Sequence, residues 1–156
     1  MDFDVLKRII AALEARSVRY AVFGAIAMNL HGLVRATEDL DVFVAPEATN
    51  IDRLRQALKD VFDDSNVDQI TASDLLGDYP SVRYAPAGQT FYLDILTRLG
   101  EAFRFDDLET ERVPFDGLTA TVVTPRMLYR MKKDTVRLKD RADAEALRRQ
   151  FHLERD

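Results

Sequence analysis

Gly24-Ala25-Ile26-Ala27-Met28-Asn29-Leu30-His31-Gly32-Leu33-Val34-Arg35-Ala36-Thr37-Glu38-Asp39-Leu40-Asp41 is the stretch on which the fold turns. Its end opens a short apolar strand, Leu40 to Val44, closed by Pro46. Side chains alternate across a strand, so Asp39 and Asp41 project from one face about 6.6 to 7 Å apart along the backbone, while Leu40 points into the core. Two carboxylates so placed make a shelf for a hard divalent cation, which takes oxygen ligands and keeps waters and phosphates in its shell. A solvated strand edge carries such pairs as well, so the pair alone does not decide. The Gly24-Ala25 turn adds weight, because a strand ending there beside a helix start frees backbone N–H groups to approach phosphate oxygens.

A third acid sits in a matching context. Phe91-Tyr92-Leu93-Asp94-Ile95-Leu96 reads as a buried strand with one carboxylate on an apolar run. An ionised carboxylate in apolar surroundings is costly unless it is paired, hydrogen-bonded or metal-bound. Phe91, Leu93 and Ile95 alternate to one face, and Tyr92, Asp94 and Leu96 take the other. Asp94 is therefore expected to face Asp39 and Asp41 from a neighbouring strand.

A strand ending in Gly-Ala, a short helix, His31-Gly32-Leu33-Val34-Arg35-Ala36-Thr37-Glu38-Asp39-Leu40-Asp41 and a later strand bearing Asp94 resemble the nucleotidyltransferase superfamily, whose fold includes the catalytic part of DNA polymerase β. The form here is similar to small bacterial nucleotidyltransferase-like proteins related to the toxin halves of abortive-infection and toxin–antitoxin systems. The resemblance implies an α+β fold: a mixed β-sheet with flanking helices over residues 1–123, and a C-terminal helical pair over 124–156 packed against it, all in one domain. It implies metal ligands and catalytic acids at Asp39, Asp41 and Asp94, Mg²⁺ (or Mn²⁺) as cofactor, and NTP as substrate. The acceptor would be a hydroxyl of RNA (tRNA for instance), protein or a small molecule, and a cognate antitoxin protein would be a possible partner. The phosphate-approaching turn falls on Gly24 and Ala25. Many active transferases carry Gly-Ser or Gly-Gly there, and Ala25 offers only its backbone N–H. A non-catalytic nucleotide- or partner-binding module on the same fold is the other reading.

In the implied two-metal mechanism, Asp39 and Asp41 hold the metal bridging the nucleotide's phosphates. The same two with Asp94 hold the second, which activates the acceptor hydroxyl, and Asp94 doubles as base.

The remaining nucleotide-binding candidates each have a structural reading beside the functional one. The planar fork of Arg35 suits triphosphate oxygens, or it pairs with Glu38 or Asp39 as a lock. Thr37 stands at the nucleotide side of the loop, or stabilises the turn through a side-chain to backbone bond. His31 is a cation at a helix end beside Gly32, or a proton-transfer group. Lys132, after the apolar helix start Met127-Leu128, is the basic residue chosen for nucleotide phosphates. Lys139-Asp140-Arg141-Ala142-Asp143 looks like the family's Lys-Asp-x-x-Asp turn, read as a buried ion pair joining the last two helices.

Composition agrees with this class without selecting it. The chain has 156 residues, enough to bury one sizeable core. It has no cysteine, which excludes disulfides and thiolate metal sites, and the expected location is cytoplasmic. Met1-Asp2-Phe3-Asp4 begins no apolar run, so neither a signal peptide nor a membrane span is expected. The net charge is −5, yet residues 126–156 hold ten Lys or Arg against six acids. An acidic whole argues against tight sequence-independent duplex binding.

Elsewhere, Val5-Leu6, Ile9-Ile10 and Leu13 mark an amphipathic helix ending near Arg16-Ser17, and Arg19 to Phe23 a strand. Ala25 to Leu30 reads as helical, and Asn50 as the cap of a helix burying Ile51, Leu54, Leu58 and Val61-Phe62. Asp63 to Tyr79 reads as a flap, with a short strand at Val67 to Ile70 and a helical turn at Ser73 to Leu76. Ser81 to Tyr84 and Thr90 to Leu96 form a hairpin turning at Ala87-Gly88; Arg112 to Pro114 and Leu118 to Val123 form a second. Thr124-Pro125 opens a helix with Met127, Leu128 and Met131 inward. The last helix, Asp140 to Arg149, turns Ala142, Ala146 and Leu147 inward.

Overall fold

The computed structural model describes residues 2–78, 80–135 and 137–154. Helix α1, Phe3–Ala15, is capped by the Asp2 carboxylate, which accepts from the Asp4 amide at 2.8 Å. It buries Val5, Leu6, Ile9, Ile10 and Leu13 along one stripe. Strand β1, Tyr20–Phe23, runs directly into α2, Gly24–Leu30. Then come β2, Asp39–Val44, and α3, Ala48–Val61. A 3-10 helix at Ser65–Gln69 and α4, Ala72–Leu76, lead to β3, Ser81–Tyr84, and β4, Tyr92–Leu96. A separate small hairpin of β5, Arg98–Leu99, and β6, Phe103–Arg104, precedes β7, Thr110–Phe115, and β8, Leu118–Val123. The chain continues with α5, Pro125–Lys132, and α6, Leu138–Phe151.

Six strands form one sheet in the order β3-β4-β2-β1-β8-β7. β1 pairs antiparallel with β2 and parallel with β8, β2 pairs parallel with β4, and the β3–β4 and β7–β8 hairpins are antiparallel. The sheet is therefore mixed, and the class is α+β, as the sequence implied. Leu40, Val42, Leu93 and Ile95 are buried on adjacent strands, which fixes the opposite parity for Asp39, Asp41 and Asp94. At the start of α5, the Thr124 hydroxyl accepts from the Met127 amide at 3.3 Å, with Pro125 in the first turn. No helix among the described residues is long and apolar enough to cross a membrane.

Four local expectations are corrected. Asn50 caps nothing: α3 starts earlier, and the Asn50 side chain, 1% exposed, takes the Arg19 amide at 2.7 Å and donates to the carbonyls of Arg19 and Ala45 at 3.0 Å each. A buried amide that satisfies three backbone groups between β1 and α3 has the same sequence signature as a cap. Val67 to Ile70 is not a strand, since the Asp64 carboxylate caps a 3-10 helix there by accepting from the Asn66 amide at 3.0 Å. The segment read as a flap is stitched to the sheet: Val67, Ile70 and Leu75 are buried, and the Thr97 hydroxyl donates to the Leu75 carbonyl at 2.6 Å. Tyr79, its expected end, lies outside the described residues. In α6 the inward residues are Asp143, Ala144 and Leu147, whereas Ala142 and Ala146 are exposed.

Candidate active site

The register of four adjacent strands places Arg83 opposite Asp94, Asp94 opposite Asp41, and Asp41 opposite Phe23. Two residues earlier on β2, and so of the same parity, Asp39 stands opposite Tyr92. Directly opposed residues in a sheet share a face. The two regions bearing the three acids are thus brought to one face by the parallel β2–β4 pair.

Arg83, which sequence reasoning missed, is the fourth charged group of this row. Its Nε donates to Asp94 Oδ1 at 2.8 Å and its terminal nitrogen to Asp94 Oδ2 at 3.2 Å, a two-pronged bond matching guanidinium to carboxylate. The same terminal nitrogen lies 3.7 Å from Asp39 Oδ2, and the guanidinium carbon lies 4.7 Å from the centre of the Tyr92 ring. The available signal was parity within the hairpin, but an arginine on a half-exposed strand gives no sign of which cross-strand residue it meets until the turn length is known.

Asp41 has an unusual environment. Burial, then the neighbouring charges of Asp94 and Asp39, push its carboxyl up to about 7, with Lys132 pulling the other way. Its carboxylate rests against Gly24, where φ is +69° and an added Cβ would come within 2.9 Å of Asp41 Cγ. Gly24 thus makes room for an acid at the point where β1 becomes α2. Ala25 follows, buried in the first turn of α2.

Two clefts meet the acidic row from different sides. One, of about 260 Å³, has Phe23, Gly24 and Asp41 on one wall and Leu128, Met131 and Lys132 of α5 on the other. The second, of about 390 Å³, is lined by Thr37, Glu38, Asp39, Arg83, Tyr92 and Lys139, among others. Lys132 therefore lies in the same cleft as Asp41, and its ammonium is held by Asp143 Oδ2 at 3.0 Å and Asp140 Oδ1 at 3.3 Å. These two acids belong to the Lys-Asp-x-x-Asp turn, and their bonds tie α6 to α5; the Lys139 of that turn faces the other cleft. Arg35 meets neither Glu38 nor Asp39: its Nε donates to Asp143 Oδ1 at 2.9 Å, so one buried carboxylate holds both Lys132 and the loop leading to β2. The Thr37 hydroxyl accepts from the Asp39 amide at 3.1 Å and bends the chain into the strand. His31 ends α2, with Nε2 2.8 Å from the carbonyl oxygen of Val123 on β8, two strands across the sheet from β2, and Nδ1 3.3 Å from Glu111.

The donor set fits a hard divalent cation in kind. Three carboxylates share a face, two of them raise the proton affinity of the third, and the cation already among them is a guanidinium. Among the described residues, no three acidic, histidine or cysteine side chains are drawn together tightly enough to hold a metal as they stand.

No protein-family model and no curated protein matches the chain. Solved structures do. A candidate nucleotidyltransferase from Thermotoga maritima is 14% identical, with 96% of this chain covered and 91% of that one, at a TM-score of 0.56. The structure of ANT(2″)-Ia with adenylyl-2″-tobramycin is 11% identical, with 96% and 88% covered, at a TM-score of 0.57. An antigenic nucleotidyltransferase-like protein from Paracoccidioides brasiliensis is 16% identical, with 94% and 75% covered, at a TM-score of 0.55. Likeness at such low identity speaks to the backbone, and on that ground the chain has the nucleotidyltransferase fold.

Proposed function

We propose that this protein is a metal-dependent nucleotidyltransferase that moves a nucleoside monophosphate from an NTP to a hydroxyl of a small molecule, a protein or an RNA. The observation that carries the reading is the facing of Asp41 and Asp94 across the parallel β2–β4 pair, with Asp39 on the same face and Asp41 seated on Gly24. The small-molecule acceptor has the added support that a protein of this fold is seen with adenylyl-2″-tobramycin.

On this reading Asp39, Asp41 and Asp94 hold Mg²⁺ or Mn²⁺, which when bound supplies neutralising charge to the phosphates and lowers the pKa of an acceptor hydroxyl. Lys132 steadies the triphosphate in the cleft beside Asp41, and the backbone amides of Gly24 and Ala25 approach its oxygens. Arg35 positions Lys132 through their shared Asp143, and Thr37 fixes the turn that aims Asp39. The acceptor oxygen bonds to the α-phosphorus as the bond to pyrophosphate breaks, and Asp94 takes the hydroxyl proton. Positioning and electrostatics supply the rate, so loss of one acid costs several powers of ten.

The test is to incubate the protein with labelled NTPs, Mg²⁺ or Mn²⁺ and separate pools of metabolites, proteins and tRNA. Transfer of label by the wild type and not by Asp41→Asn supports the reading, and equal labelling by both refutes it. A binding module without turnover, with nucleotide or a cognate antitoxin protein as its partner, has two observations in its favour. Ala25 has no hydroxyl to offer a phosphate, and Arg83 already occupies Asp94. Tight MgATP binding in calorimetry with no product in any pool would favour it.

A further inference from the structure

We infer that Arg83 is a built-in competitor for the cation at the acidic row: its guanidinium occupies Asp94 and Asp39, and a divalent cation binds only as Arg83 withdraws. The inference rests on the cation-binding reading of Asp39, Asp41 and Asp94. Three contacts hold the guanidinium where it is. Asp94 receives both prongs of the fork at 2.8 and 3.2 Å, Asp39 lies 3.7 Å away, and the Tyr92 ring supports the flat face at 4.7 Å. Asp94 cannot present the same lone pairs to a guanidinium and to a metal. Binding of the one therefore requires release by the other.

The position of Arg83 permits that release. β3 stands at the end of the strand order, and the Arg83 side chain is 58% exposed although the carboxylates it holds are 21% and 34% exposed. A long side chain rooted on an outer strand can swing from the acids into the cleft formed with Tyr92 and Lys139 without moving the backbone. The placement also has a use without metal. Three carboxylates on one face repel one another, and a guanidinium placed between two of them offsets part of that repulsion. Arg83 thus keeps the row assembled before a cation arrives, at the cost of weakening the cation's hold.

Isothermal titration of Mn²⁺ into wild type, Arg83→Gln and Asp41→Asn tests this without any turnover. Removing the competing charge should tighten Mn²⁺ binding roughly fivefold or more in Arg83→Gln, and Asp41→Asn should weaken it. In the ¹⁵N–¹H spectrum of the wild type, Mg²⁺ should shift the Arg83 Nε–H signal as its bond to Asp94 breaks. Equal or weaker Mn²⁺ binding by Arg83→Gln, or an Nε–H signal unmoved by saturating Mg²⁺, overturns the inference and leaves the proposed function standing. Failure of wild type and Arg83→Gln alike to bind Mn²⁺ overturns both, as does binding indifferent to Asp41→Asn.

Discussion

The carboxylate of Asp41 occupies the space where a side chain at position 24 would begin: a Cβ on Gly24 would lie 2.9 Å from Asp41 Cγ and 3.2 Å from its Cβ, with the carboxylate oxygen nearer still. The backbone there adds its own demand, since φ of +69° is strained for any residue with a Cβ. Gly24→Ala is therefore expected to destabilise the protein by about 1 to 3 kcal/mol, from strain and displacement together. It should also turn Asp41 away from Asp94, so Mn²⁺ affinity falls with stability. Urea unfolding and Mn²⁺ titration check the two halves separately.

Asp41 makes the metal-free fold sensitive to pH in a direction opposite to that of a salt-bridged acid. Its carboxyl is held up to about 7 by burial, Asp94 and Asp39, against an ordinary value of 3.8. Below the ordinary value both folded and unfolded chains carry the proton. As pH rises toward 7 the unfolded chain releases it first, and the fold loses stability until the native carboxyl ionises too. Asp41→Asn removes that loss. In EDTA the variant should match the wild type near about pH 4 and gain on it steadily, leading by on the order of a few kcal/mol by about pH 8. A gap that stays constant across urea titrations over that range would contradict the assignment.

The same residues show why part of this site was legible in the sequence and part was not. Alternation on Asp39-Leu40-Asp41 and around Asp94 needs only the period of a strand, so the face each acid takes on its own strand could be read locally, as could the Thr124-Pro125 helix start, while the pairing of β2 with β4 could not. Arg83 could not be read that way. Its partner depends on how many residues the β3–β4 turn consumes, and the observed register pairs Arg83 with Asp94 through a loop longer than the tight turn expected at Ala87-Gly88. Ala142 and Ala146 misled for a different reason: alanine carries little hydrophobic weight, and the phase of α6 is set by Asp143 reaching Lys132 and Arg35. A buried ion pair outvoted a weak apolar stripe, which no count of apolar residues would show.

Asn50 supplies a measure of how firmly β1 and α3 are joined. Its amide satisfies the Arg19 amide and the carbonyls of Arg19 and Ala45, all at 2.7 to 3.0 Å. Asn50→Ala takes the acceptor from the Arg19 amide, while the Arg19 and Ala45 carbonyls keep the Ala45 and Glu47 amides at 3.1 and 2.9 Å, and it is expected to cost about 1 to 3 kcal/mol. Asn50→Asp should also destabilise, because a carboxylate keeps the bond from the Arg19 amide but opposes two carbonyl oxygens. Chemical denaturation of both variants checks this, and an Asp variant as stable as the wild type would contradict the hydrogen-bond assignment.

Asp143 is the strongest lever on the C-terminal helices and on the cleft together. One carboxylate, its side chain 8% exposed, accepts from Arg35 and Lys132, whose side chains are 19% and 14% exposed. Deleting an acid from such a group leaves two cations with little water around them: Lys132 keeps an acidic partner in Asp140, and Arg35 keeps only the neutral Ala36 carbonyl at 2.6 Å. Asp143→Ala is expected to cost about 3 kcal/mol or more in stability. The triple change Asp143→Leu, Lys132→Met and Arg35→Met, which removes every charge of the group except Asp140, should recover much of the loss, because apolar replacements of similar size avoid desolvated charge altogether. Recovery of stability without recovery of nucleotide binding would separate the packing of α5 on α6 by Lys132 from its proposed role at the phosphates. Calorimetric MgATP titration beside urea unfolding reads both, and full nucleotide affinity in the triple variant would remove Lys132 from the binding site.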